Sequence, residues 1–151
     1  MTKLTARLPY FQLAPKAFQG LLDLSGAIRR DLLGARLTEL VFMRVSQMNG
    51  CAFCIDMHWA ELLKLDADPR HVNAVAGWRE APFFSDRERA ALNWAEAVTS
   101  RSHHATDDEE FAKLREHFSD EEIAELGFAI STITAWNLLN LGFRNPIPGK
   151  G

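Results

Sequence analysis

Residues 126–143 run for eighteen positions without a charged side chain. Such a stretch has to be hidden from water, in a membrane, in a protein core or between subunits. Its length touches the lower limit for a membrane span, but it carries Ser131, Thr132, Thr134, Asn137 and Asn140. It is therefore expected to be a buried helix, with no membrane partner. A helix apolar nearly all round needs other elements to cover it.

Helical signals supply those elements. From Lys16, the residues Phe18, Leu21, Leu22, Leu24 and Ile28 share one helical face as far as Arg29-Arg30. A second helix carries Leu37, Leu40, Val41, Met43, Val45 and Met48 and stops at Asn49-Gly50. A third runs from about Cys51 to Leu65. Asp68-Pro69 reads as an N-cap followed by proline at the first helical position. Ser85 with Glu88, Thr106 with Glu109 and Ser119 with Glu122 have the spacing of capping boxes. The last helix is expected from Asp120 to Leu141. No stretch alternates long enough to claim a strand. The expectation is an all-α single domain over residues 1–151, a bundle of about seven helices. Residues 1–15, with Pro9 and Pro15, read as an N-terminal arm, and residues 145–151 as a tail.

Of the 151 residues, 47% are apolar and 25% charged, which suits a globular chain with one core. A net charge of -3 with no Lys/Arg run argues against a nucleic-acid partner. The first seven residues lack the apolar core of a signal peptide. A reducing, cytoplasmic location is therefore expected, where two thiols are functional more often than structural.

Both cysteines fall in one tetrad, Cys51-Ala52-Phe53-Cys54. Helical neighbours three apart have Cβ atoms about 5–6 Å apart. A disulfide needs about 3.5–4.5 Å, so a modest adjustment would close one. A helix start also stabilises thiolates. His58 lies four residues after Cys54, on the same helical face, where a neutral imidazole could take the Cys54 proton. Glu39 is ten residues before Asn49, and His58 nine after it. An antiparallel hairpin turning at Asn49-Gly50 would bring the two face to face, so that Glu39 orients His58. Two plainer readings stand beside this one. The cysteines could be buried and inert. A Cys-Cys-His zinc site would need a fourth ligand that His71, His103 and His104 are badly placed to give, so no metal is expected. His71, His103, His104 and His117 are expected at the surface. Trp59, Trp78, Trp94 and Trp136 are expected in the core or an interface.

The run from Glu39-Leu40-Val41-Phe42 to Asn49-Gly50-Cys51-Ala52-Phe53-Cys54-Ile55-Asp56-Met57-His58 resembles the AhpD-like alkylhydroperoxidases of the carboxymuconolactone decarboxylase superfamily. The shared pattern is a Glu, then twelve positions on a Cys-x-x-Cys-x-x-x-His. Residues 89–99 and Ala135-Trp136-Asn137 are similar to the same superfamily, and the resemblance spans roughly residues 15–147. It implies an all-helical fold, a homo-oligomer (hexamer favoured over trimer), and peroxide reduction without a metal or organic cofactor. By position, Cys54 would be the peroxidatic thiol and Cys51 would resolve its sulfenic acid as a disulfide. His58 would deprotonate Cys54, and Glu39 would assist through a proton relay. The implied partners are a hydroperoxide substrate and an external dithiol or disulfide-reductase donor. The founding pattern has His directly before the second Cys, whereas this chain has Phe53, which removes an imidazole and dries the site. Two alternatives remain at this stage, a decarboxylase acting on a small lactone acid and a disulfide exchanger or redox sensor. A face with Ala129, Ile130, Ile133 and Leu138 is expected to be covered by assembly.

Overall fold

The computed structural model describes residues 5–101 and 104–149. The signal-peptide reading of residues 1–4 and the reading of His103 lie outside the described residues.

The described residues form helices and no strand. In chain order these are α1 (Tyr10–Leu13), α2 (Pro15–Ala27), α3 (Arg30–Leu33), α4 (Ala35–Asn49) and α5 (Ala52–Lys64). They continue with α6 (Pro69–Asn73), a 3-10 turn (Ala74–Gly77), α7 (Asp86–Thr99), α8 (Asp108–Arg115) and α9 (Asp120–Phe143). The seven helices expected from sequence are all present. The additional α1 and α3 are four-residue turns, too short for apolar periodicity to reveal.

Helix α4 is the spine, packing against α5, α7 and α9. It starts after Gly34, whose φ of 94° suits glycine, and ends at Gly50 in the left-handed region at φ 71°. There the Gly50 N–H bonds to the Gln47 carbonyl and the Cys51 N–H to that of Ser46, a Schellman closure. Only Gly50 and Cys51 separate α4 from α5, so the two helices must fold back on each other. One core cluster joins α4 and α5 to α7 and α9 through Val41, Val45, Cys54, Ala95, Leu126 and Ile133. A second lies at the other side of α4, around Leu40, Leu62, Val75 and Leu92.

The capping boxes at Ser85/Glu88 and Ser119/Glu122 are formed, and Asp68 caps Pro69 as expected. The third box is not. Asp107, rather than Thr106, caps α8, its carboxylate accepting the Glu110 N–H at 2.9 Å. Aspartate is the stronger cap and sits one residue nearer the helix.

The arm also departs from expectation. Pro15 is the first residue of α2, where a missing N–H is harmless. Tyr10 in α1 stacks on Phe143 with ring centres 4.8 Å apart. The Arg7 N–H donates to the Phe143 carbonyl and its guanidinium to that of Gly142. Residues 7–15 are thereby fastened to the end of α9.

Helix α9 is the one helix among the described residues long and apolar enough to cross a membrane, and 39% of its most apolar window is buried. Ala129, Ile130 and Ile133 face the core and are covered within the chain. Three of the four residues expected to await a partner are therefore already buried, because they share a face with Leu126 and Asn137. Leu138, 61% exposed, lies with Phe128 on the side of α9 turned away from that face.

Candidate active site

Cys51 is the N-cap of α5, with φ -83° and ψ 93°, and its sulfur accepts the Cys54 N–H at 3.3 Å. Three residues beyond the cap, Cys54 already has the helical backbone. The pair is joined as a disulfide with Cα atoms 5.3 Å apart, inside the range such bonds require. Both residues are buried.

One helical turn further along α5, His58 is buried and its Nδ1 lies 2.7 Å from a carboxylate oxygen of Glu39 on α4. An ionised carboxylate can only accept, so Nδ1 carries the proton and, in a neutral ring, Nε2 presents a lone pair. Nε2 is buried without a hydrogen-bond partner among the described residues. The hairpin thus joins Glu39 to His58, as the spacing about Gly50 predicts. Glu39 is 6% exposed, and a buried carboxylate needs partners. Its second partner is Arg30, with Nε 3.6 Å from the other oxygen. The Arg30 guanidinium also stands over the Phe42 ring, which packs against His58.

Sequence reasoning missed Arg30, and it missed Asn140 on α9. The Asn140 side-chain N–H points at the Cys54 sulfur across 3.4 Å. The one available signal was a pair of amides, Asn137 and Asn140, set into an uncharged helix. Asn137 is structural, bridging Ser46 and Asn49 on α4.

Two adjoining cavities flank the site. One of about 360 Å³ is lined by Tyr10, Phe18, Phe53, Met57, Trp136 and Asn140, among others. Another of about 110 Å³ is lined by Arg30, Phe42 and His58, and shares Ser25, Met57 and Trp136 with the first. A cavity of about 440 Å³ between α7 and α8, bordered by Arg89, Glu110 and Lys113, touches neither cysteine. Among the described residues no three His, Cys, Asp or Glu side chains converge as a metal site.

Two of the remaining histidines are less exposed than expected, and one tryptophan lies outside the core. His71 is half-buried and stacks on Phe83 at 4.4 Å, and His117 is half-buried; only His104 is exposed as expected. Trp78 is buried, Trp94 and Trp136 half-buried, but Trp59 is 44% exposed because its neighbour His58 takes the inward face of α5.

Comparison with known proteins accords with this geometry. The sequence pattern of the carboxymuconolactone decarboxylase family matches residues 15–97, which include Glu39, both cysteines and His58. The chain belongs to that family. Its likeness extends well beyond the matched segment. The uncharacterized protein YdfG of Bacillus subtilis is 31% identical over 147 residues, covering 97% of this chain and 100% of its own. The uncharacterized protein YnjA of Escherichia coli is 33% identical over 120 residues, 80% of this chain and 63% of its own. A crystal structure from Agrobacterium tumefaciens superimposes with a TM-score of 0.90 at 37% identity, covering 97% of this chain and 100% of that one. That protein is described as of unknown function and assigned to AhpD-type antioxidant defence. Within the family, the chain is of the AhpD-like kind.

Proposed function

We propose that the protein is a thiol-dependent peroxidase that reduces hydroperoxides through Cys54 and Cys51. The observation that carries this reading is a buried cysteine pair one helical turn from a buried His58–Glu39 couple. Membership of the family and likeness to an AhpD-type neighbour support it.

The cycle starts from the dithiol. His58 Nε2 accepts the Cys54 proton, while Glu39 holds the ring and offsets its charge. The thiolate attacks the terminal oxygen of R–O–O–H. The S–O bond forms as the O–O bond breaks, and the two electrons come from sulfur. The alkoxide leaves and takes a proton, giving the alcohol and the Cys54 sulfenic acid. The Cys51 thiol then attacks that sulfur, releasing water and closing the disulfide. An external dithiol restores the pair by two exchanges and ends as a disulfide itself.

The cavity of about 360 Å³ beside Phe53, Met57 and Trp136 is mainly apolar, and suits an organic hydroperoxide with an apolar tail. Both sulfurs are buried, which favours small reactants, a hydroperoxide and a slender dithiol, over direct exchange with a bulky folded partner. In this proposal the protein works in the cytoplasm as a homo-oligomer, with the hexamer favoured.

The test is the free-thiol count and intact mass of reduced protein, quenched rapidly after one equivalent of tert-butyl hydroperoxide. Fast loss of both thiols, with the mass falling by two hydrogens and no such loss in Cys54→Ser, is expected. Loss no faster than that of a free model thiol at the same pH would overturn the reading.

A further inference from the structure

The two cysteines do not share one source of stabilisation. The start of α5 serves Cys51, whose sulfur takes the Cys54 N–H at the cap. The Cys54 sulfur meets a donor from the far end of the chain, the Asn140 amide at 3.4 Å.

That amide is held from every side. Its Nδ2 also donates to the Trp136 carbonyl at 2.9 Å, one turn back on α9. Its Oδ1 accepts from Asn145 Nδ2 at 2.8 Å. Asn145 in turn donates through the same nitrogen to the Tyr10 hydroxyl at 3.2 Å, and through its backbone N–H to the Asn140 carbonyl. These contacts fix the orientation of the amide. Reversed, it would set its oxygen against the Trp136 carbonyl and the sulfur, and its NH2 against the NH2 of Asn145. The N–H therefore faces sulfur by construction, at a side chain only 7% exposed.

We propose that Asn140 is a further catalytic residue, whose side-chain N–H stabilises the Cys54 thiolate, with Asn145 and Tyr10 as positioning residues that hold its amide. The inference rests on the reading that Cys54 is the reacting thiol. A hydrogen bond to a thiol is weak, but the same bond to a thiolate is charge-assisted, and burial strengthens it. The donor therefore favours the ionised state over the protonated one. This raises the reactive fraction at neutral pH and eases departure of the Cys54 sulfur when the disulfide is reduced.

The test is a pH titration of the ultraviolet thiolate absorbance in a Cys51→Ser background, where Cys54 is the one remaining thiol. In Asn140→Leu the midpoint is expected to move to higher pH, with the thiolate fraction at pH 7 falling roughly tenfold. Asn145→Ala and Tyr10→Phe are expected to move it the same way by less. Asn137→Ala, which loses an equally buried network on the same helix without touching sulfur, is expected to unfold at lower temperature with the midpoint unmoved. A midpoint in Asn140→Leu that superimposes on the parent would overturn the proposal. Should that variant lose its helical circular dichroism, Asn140→Ala, which removes the donor with a strong helix former and adds no charge, decides by the same criterion. A raised midpoint is expected, and an unchanged one refutes the role. The titration uses no peroxide, so a peroxide-inert wild type would sink the peroxidase reading and leave this test standing. Fast peroxide turnover with a midpoint indifferent to Asn140 would sink only this inference.

Discussion

At the scale of residues, the His58–Glu39 couple is costly to bury and is compensated locally. Glu39 gains His58 at 2.7 Å and Arg30 at 3.6 Å, and its helix supplies apolar neighbours on both sides. In Glu39→Gln, a near-isosteric change, the side-chain oxygen can still accept from Nδ1 but brings no charge to balance a protonated ring. Stopped-flow measurement at pH 7 is expected to show the peroxide step slowed roughly tenfold or more, with the melting temperature little changed. An unchanged rate would remove Glu39 from the relay. The four motif residues were legible because they sit on one hairpin, where spacing about Gly50 fixes who faces whom. Asn140 was not, since its contact with Cys54 spans 86 residues and depends on how α9 docks. Arg30 was hidden similarly, because α3 is a single turn with no periodic pattern of its own.

At the scale of elements, Glu96 on α7 fastens three pieces together. It accepts from Arg44 on α4, from Trp78 after the 3-10 turn, and from Arg79. Burial alone would raise its pKa, but the hydrogen bonds from Trp78, Arg44 and Arg79 together outweigh that and hold it below the ordinary 4.5. The folded-state value therefore lies below the unfolded one. The contribution to stability is complete above about pH 4.5 and is lost as the pH falls through the depressed folded value. Urea denaturation between pH 7 and pH 3 is expected to show this loss in the wild type and a flatter profile in Glu96→Gln. The substitution is expected to cost on the order of 1–3 kcal/mol at pH 7. The same profile in both proteins would place the acid sensitivity elsewhere. Elements with strong local codes were readable in the sequence, notably the two serine capping boxes and the Gly50 stop. The start of α8 was misread by one residue, since Thr106 and Asp107 both offer a capping oxygen and the Thr106/Glu109 spacing drew attention from the stronger cap, Asp107.

At the scale of the whole molecule, the outer face of α9 leaves Phe128 58% and Leu138 61% exposed, and Leu141 near its C-terminal end is 45% exposed. Apolar side chains grouped in this way mark a contact surface more often than a bare one. A second copy of the chain is the expected cover, and closed symmetry would repeat the contact around a ring or across a two-fold axis. Light scattering behind size exclusion at micromolar concentration is expected to give an oligomeric mass, shifted toward the monomer by Leu138→Glu. A monomeric mass for the wild type would sink this. The long uncharged helix showed from the outset that something must cover it. Which face the chain itself covers was decided by packing against α4, which no pattern within α9 records.

The two ends of the described chain meet beside the cysteines, where Arg7 holds Phe143 and Tyr10 holds Asn145. If the docked ends aim Asn140 at a thiolate, the redox couple and the clasp of the termini are thermodynamically linked, and linkage runs both ways. Whatever free energy the clasp lends to the reduced thiolate, reduction returns to the clasp. The two ends would then be gripped more firmly in the reduced protein than in the oxidised one, a difference that limited proteolysis of the arm in each state would reveal.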